Sequence, residues 1–193
     1  MSDELSHYHM LKHTQIAQQD RINLQSILGH EVVSVDIPGT DNEKEGLSIQ
    51  NVTALRLTLR EGPTTSFAAK SVDLVEGVEV FVVEIPSLLD LRRYPGGPQV
   101  DWHPSAMLVG ALGGTTISDV RILTAGWRII LGGTQEASYY GNNPRSLAYD
   151  LLADTDSHDV EDGLMLLCSN RHALVISTAS ELSGTLKVWC TEL

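Results

Sequence analysis

What most constrains the fold of this chain is the period of its apolar residues, which for most of the length is two. Val33, Val35 and Ile37 alternate with Ser34 and Asp36 before a Pro38-Gly39 turn, and Leu55, Leu57 and Leu59 alternate with Arg56, Thr58 and Arg60 before Gly62-Pro63. Side chains on a strand point to opposite faces in turn, so this pattern predicts strands with one dry and one wet face. The run Val78 to Ile85 is more continuously apolar and β-branched, which predicts a strand covered on both faces near the centre of a sheet. Further strands are predicted over 117–123, 127–131, 164–168, 173–177 and 186–190.

Helical spacing is rare. Residues 2–28 lack Gly and Pro and place Leu5, Tyr8, Leu11 and Ile16 near helical intervals, so an N-terminal helical segment is expected over 1–28, ended by Gly29. A second helix is expected near 143–153. There Asn143 can cap, Pro144 suits the first turn, and Leu147, Ala148, Leu151 and Leu152 form a stripe. The fold class is therefore mainly β with a minor α+β element: an antiparallel sandwich or barrel.

An internal match suggests how the strands are organised. Adding 85 carries Gly29, Val32, Val35 and Ile37 onto Gly114, Ile117, Val120 and Ile122. Adding 108 carries Val52, Leu59, Leu74, Val80 and Glu84 onto Val160, Leu167, Leu182, Val188 and Glu192, with Phe67 falling on Val175 and Val82 on Cys190. The expectation is two tandem β-meander halves, 29–90 and 110–193, the second carrying an insert over 123–156; one irregular β domain is the alternative. Residues 91–109 form the connection. Their Pro and Gly content predicts irregular backbone, and Tyr94, Trp102 and His103 suggest a loop fixed on the body.

Charge narrows the function classes. The 25 acidic residues against 13 Lys and Arg give a formal charge of −12, a field that repels nucleic-acid phosphates and anionic headgroups and steers cationic partners. Nucleic acid and membrane are not expected partners; a basic protein is. The opening residues carry acid where a secretory signal carries base, and the apolar runs are too short for a membrane span, so a cytoplasmic location is expected. Cys168 and Cys190 lack a CxxC context and read as reduced thiols.

Candidate chemistry is thin. His7, His9 and His13 make a histidine-rich tract without the Glu that completes a zinc-protease motif, and they read as a titratable helix end. The acidic stretch 154–163 clusters carboxylates as calcium loops do, but His158, Asp159 and Met165 occupy positions that such a loop gives to a ligand, a turn glycine and the bidentate Glu; it reads as a solvated acidic loop. Residues 110–116 lack the Lys of a phosphate-binding loop and read as a turn into a strand. There is no nucleophile elbow. No cofactor and no metal are expected, and no catalytic residue can be named. Aromatic side chains gather in the connection and the insert, and with the acids they make the expected partner-binding set: Tyr94, Trp102, His103, Tyr139, Tyr140, Asp154, Asp156 and Asp159. The expected function is an immunity-, antitoxin- or inhibitor-like protein that caps a basic partner. The alternative is a small-ligand-binding protein or enzyme with a cavity between the two halves. The oligomeric state is not legible.

Overall fold

The computed structural model describes residues 12–14, 16–39, 49–75, 78–86, 101–130, 136–139, 155–178 and 184–193. In chain order the elements are β1 (Lys12–Thr14), α1 (Gln18–Gln25), β2 (Val32–Pro38), β3 (Ile49–Val52), β4 (Ala54–Leu59), β5 (Thr65–Val75), β6 (Val78–Glu84), β7 (Trp102–Pro104), α2 (Ala106–Leu112), β8 (Ile117–Ile130), β9 (Glu136–Tyr139), β10 (Thr155–Cys168), β11 (His172–Ser177) and β12 (Leu186–Glu192). The helix expected near 143–153 falls outside the described residues.

The strands form two sheets. One has five strands in the order β6-β5-β4-β2-β7; the other has seven, running β3-β12-β11-β10-β8-β9 with β1 added to β10. All pairs are antiparallel except β1 with β10. Both sheets end in edge strands, so the architecture is an open sandwich rather than a closed barrel. Leu55, Leu57 and Phe67 from one sheet, and Leu164, Leu166, Leu174 and Val188 from the other, are fully or almost fully buried in one core. Each such side chain contributes roughly 1.5–3 kcal/mol by leaving water.

Several local expectations change once long-range pairing is present. Val33 is 47% exposed and Val32 takes its place in the core, because the β2–β4 register shifts between Val32 and Ser34. A bulge of this kind reverses the phase of every side chain beyond it. Within the Val78–Ile85 run the adjacent Val82 and Val83, together with Val80, are at most 5% exposed, so both faces are covered there, yet β6 is an edge strand and not a central one. It lies against β10 and β11 of the other sheet, and the Thr178 hydroxyl donates to the Phe81 carbonyl. The two strands expected over 117–123 and 127–131 are one continuous strand, β8, held along its length by β10.

Helices also differ from expectation. In the N-terminal segment a strand, β1, precedes a helix of only eight residues. The connecting region, expected to be irregular, holds β7 and α2. The Ser105 side chain accepts from the Leu108 N–H as an N-cap, and Leu108 and Leu112 bury at helical spacing. Gly110 therefore lies in a helix and not in a turn; only Gly113 and Gly114 end it. Of the acidic stretch 154–163, the described residues from 155 on are not a loop but the first part of β10, where Glu161 and Asp162 are 7% and 2% exposed.

Paired backbone hydrogen bonds join the two sheets at a crossing. The Gly29 N–H donates to the Ile117 carbonyl at 2.9 Å and the Gly114 N–H to the Val32 carbonyl at 2.9 Å; the Val32 N–H donates to Thr115 at 2.7 Å and the Ile117 N–H to His30 at 3.0 Å. Adding or subtracting 85 converts each bond of a pair into the other, about a bridge between Glu31 and Thr116. Gly29 and Gly114 both adopt positive φ, 80° and 77°, each just after a helix. That backbone region costs a side chain-bearing residue roughly 1–2 kcal/mol. Beyond the crossing the neighbour order β2-β4-β5-β6 in one sheet has the same form as β8-β10-β11-β12 in the other.

Candidate functional site

Among the described residues, two places bring charged and polar side chains together. The first is the outer face of the five-stranded sheet. Asp36 on β2, Arg56 on β4 and Ser66 on β5 lie in one cross-strand row. The odd-numbered neighbours Val35, Leu55, Leu57 and Phe67 take the core, so alternation turns these residues away from it. Asp36 is nevertheless only 5% exposed. Its carboxylate accepts from the Arg56 Nε at 3.0 Å and lies 2.9 Å from a terminal guanidinium nitrogen, and it also accepts from the Ser34 hydroxyl. Trp102 on β7 lies over the guanidinium, 4.7 Å from Cζ to the ring centroid. A cation held against an aromatic face and a carboxylate at once is geometrically fixed and has little freedom left for catalysis.

The second place is a cleft of about 330 Å³ between α1 and β8, lined by Gln18, Arg21, Leu24, Gln25, Leu28, Asp119, Val120 and Ile122. The helix is docked by one clamp. Glu161 on β10 accepts the Ile16 N–H at 2.8 Å and, through both carboxylate oxygens, one terminal nitrogen of Arg21, while Arg21 Nε donates to the Ile16 carbonyl. Asp20, in the first turn of α1, is held partly out of water, and burial pushes its carboxyl above the ordinary aspartate value. A hydrogen bond with the Ile85 backbone opposes that shift, Glu84 adds to it, and Lys70 opposes it. On β8 the Asp119 carboxylate accepts the Val120 N–H at 2.8 Å.

The residues anticipated as a partner surface divide between the two sheets. Trp102 and His103 are half-buried on β7, at the edge of the five-stranded sheet, where they pair with Pro38 and Ile37. Tyr139 ends β9 opposite Trp127, which on its other side pairs with His158; Asp156 and Asp159 pair with Ile129 and Gly126 in the seven-stranded sheet. Tyr94, Tyr140 and Asp154 lie outside the described residues. Arg56, which Trp102 covers, and its ion-pair partner Asp36 are residues that the sequence reading does not single out as a site. The signal available was a lone acid and a lone base on the wet faces of two strands, but only the register showed that they meet.

The two thiols are chemically quiet. Burial pushes Cys168 up, and burial together with the neighbouring Cys168 pushes Cys190 up to about 12, so neither is a thiolate near neutral pH. Among the described residues no group of three or more His, Cys, Asp and Glu is placed to hold a metal. No described helix is long and apolar enough to cross a membrane. Set beside known protein families, curated proteins and solved structures, the chain matches none of them.

Proposed function

We propose that this chain is a non-catalytic binding protein that caps a basic protein partner. The observation that carries the reading is how positive charges among the described residues are disposed. Five of the chain's 13 Lys and Arg, namely Arg21, Arg56, Arg60, Lys70 and Arg121, are each paired with a carboxylate of the same chain: Glu161, Asp36, Glu31, Glu84 and Asp119. Cations engaged internally contribute little to recognition, and the formal charge of −12 is left to set the sign of the outer field. A field of that sign accelerates encounter with a cationic surface and disfavours phosphate-rich partners. Trp102, half-buried on an edge strand, supplies the kind of rigid aromatic surface on which interfaces anchor.

The test is salt dependence combined with charge removal. Immobilised protein is presented to extract from its own cells at low and high ionic strength, the retained species are identified by mass, and the affinity of the purified complex is then measured. A stoichiometric basic protein whose dissociation constant rises about tenfold or more with salt supports the reading. Neutralising Asp154, Asp156 and Asp159 together should weaken it and flatten the salt slope. Retention of an acidic protein, or an affinity indifferent to salt, overturns it.

A second reading, a small-ligand-binding protein or enzyme, draws on the cleft beside α1, whose volume is at the low end of the roughly 300–1,000 Å³ typical of ligand pockets. A thermal shift of several degrees from one member of a metabolite panel, with no protein retained, favours it over capping.

A further inference from the structure

The crossing at Glu31 and Thr116 relates positions 85 residues apart, and it makes β2 and β8 counterparts. Their surroundings differ in one respect. On the side of β2 away from β4, β7 adds an antiparallel strand: Asp36 pairs with Pro104, Ile37 with His103 and Pro38 with Trp102, and the Ser105 N–H donates to the Val35 carbonyl at 2.9 Å. On the corresponding side of β8, among the described residues, β9 pairs with Trp127 to Ile130 and stops short of Ile122. Counterparts of the residues that β7 covers are Val120 for Val35 and Ile122 for Ile37. Val35 and Ile37 are 0% and 2% exposed, whereas Val120 and Ile122 are only partly buried and line the open cleft.

The backbone there also behaves as a free edge. In an antiparallel strand the N–H and C=O of one residue point to the same side. The Val120 N–H turns to the carboxylate of its own neighbour, Asp119, instead of to a strand. A charged side chain folded over an edge amide is a common way of blunting an unpaired strand.

We propose that this edge is a peptide-binding site: an extended segment of a partner polypeptide adds antiparallel to β8 at Val120–Leu123, in the place that β7 fills on β2. The incoming strand takes over the Val120 N–H from Asp119 and donates to the Val120 carbonyl. One of its side chains drops between Leu24 and Leu28 of α1 and Val120 and Ile122 of β8, completing the burial that Val35 and Ile37 already have. The occupant is an extended peptide with an aromatic side chain at the residue facing α1, because in the chain's own occupant of the equivalent edge the half-buried His103 lies opposite Ile37 and so on its face. The proposal does not depend on the sign of the molecular charge, so it stands or falls separately from capping of a basic partner.

The experiment uses the whole chain and a synthetic peptide of residues 101–106, blocked at both ends, followed by amide NMR. Binding at this edge shifts the Val120 and Ile122 amides and the Leu24 and Leu28 methyls together, and the shifts saturate in the micromolar to millimolar range. Asp119→Ala removes the competing acceptor and should lower the dissociation constant about threefold or more. Leu28→Glu, at a position already 39% exposed and so tolerant of charge, should raise it about tenfold. A peptide in which alternate residues are D-amino acids cannot add as a strand and should not bind. The proposal is overturned if the native peptide leaves these resonances unmoved up to several millimolar. It is equally overturned if Asp119→Ala has no effect on affinity, or if that variant dimerises by light scattering with protection of the same amides, which would assign the edge to a second copy of this chain.

Discussion

The clamp that docks α1 can be tested quantitatively. The Glu161 side chain is 9% exposed and that of Arg21 is 30% exposed, so the pair is neither a surface bridge nor a fully dry one. At an effective dielectric of about 20, unit charges about 4 Å apart attract by about 4 kcal/mol, and desolvation of Glu161 cancels part of this. Arg21→Met strips a buried carboxylate of its guanidinium while the Ile16 N–H still donates to it; breaking a buried pair in this way costs about 3 kcal/mol. Glu161→Met leaves the Ile16 N–H buried without its acceptor, a loss of about 1–3 kcal/mol, while Arg21 can turn to water. The double variant escapes the stranded charge, so its loss should fall short of the sum by about 2 kcal/mol. Urea unfolding reads all four states: with a slope near 2 kcal/mol per molar, Arg21→Met should lower the midpoint by about 1.5 M. A coupling below about 0.5 kcal/mol would place the pair among exposed bridges of negligible worth, and the docking of α1 would have to be ascribed to Leu24 and Ile27 alone.

Three further outcomes are expected. Gly29→Ala and Gly114→Ala should each cost about 1–2 kcal/mol in the same unfolding assay; a Cβ at either site meets no atom within 4 Å, so the cost is one of backbone conformation and should be similar at both, and a neutral result at either would contradict its left-handed geometry. Asp20 has a raised folded-state carboxyl, which means that the folded chain holds its proton more tightly and loses stability as pH rises from the ordinary aspartate value of 3.8 through the folded value; Asp20→Asn should therefore stabilise at pH 7, and its advantage should shrink as pH is lowered toward 3.8, whereas an advantage that grows on acidification would reverse the sign. Iodoacetamide at pH 8 should modify Cys168 and Cys190 at least a hundredfold more slowly in the native chain than in urea, given burial and the Cys190 value of about 12; modification at equal rates would show that the strands around them open readily.

The wet-face residues show where reading a single sequence stops. Asp36, Arg56 and Trp102 are separated by 20 and 46 positions, and alternation says of the first two only that they point away from the core. Their meeting depends on β2 pairing with β4 in one register and with β7 in another, and each is a choice among many pairings with similar local propensity. Helix α2 was legible in principle: Ser105 is a good cap, and Leu108 and Leu112 share a face. It was hidden by the glycines on either side of it, which favour a turn unless the buried face is known. The reading of 154–163 as a solvated loop failed for a related reason. Acid-rich composition favours exposure on average, but Glu161 is buried because Arg21, 140 residues away, meets it there.

What the sequence determined by itself was the class and the punctuation. A period of two over most of the chain requires sheets, and Gly29, Gly62 and Gly114 mark where the backbone turns. Only the tertiary structure decided which strands are edges, where the bulge at Val32 and Ser34 reverses the faces, and that β2 has a partner at the positions where β8 has an open cleft. The physical reason is one of range. Alternation and turn chemistry act between residues a few positions apart, whereas strand order and edge cover are settled by pairings across the whole chain, whose free energies differ by amounts that no local pattern encodes.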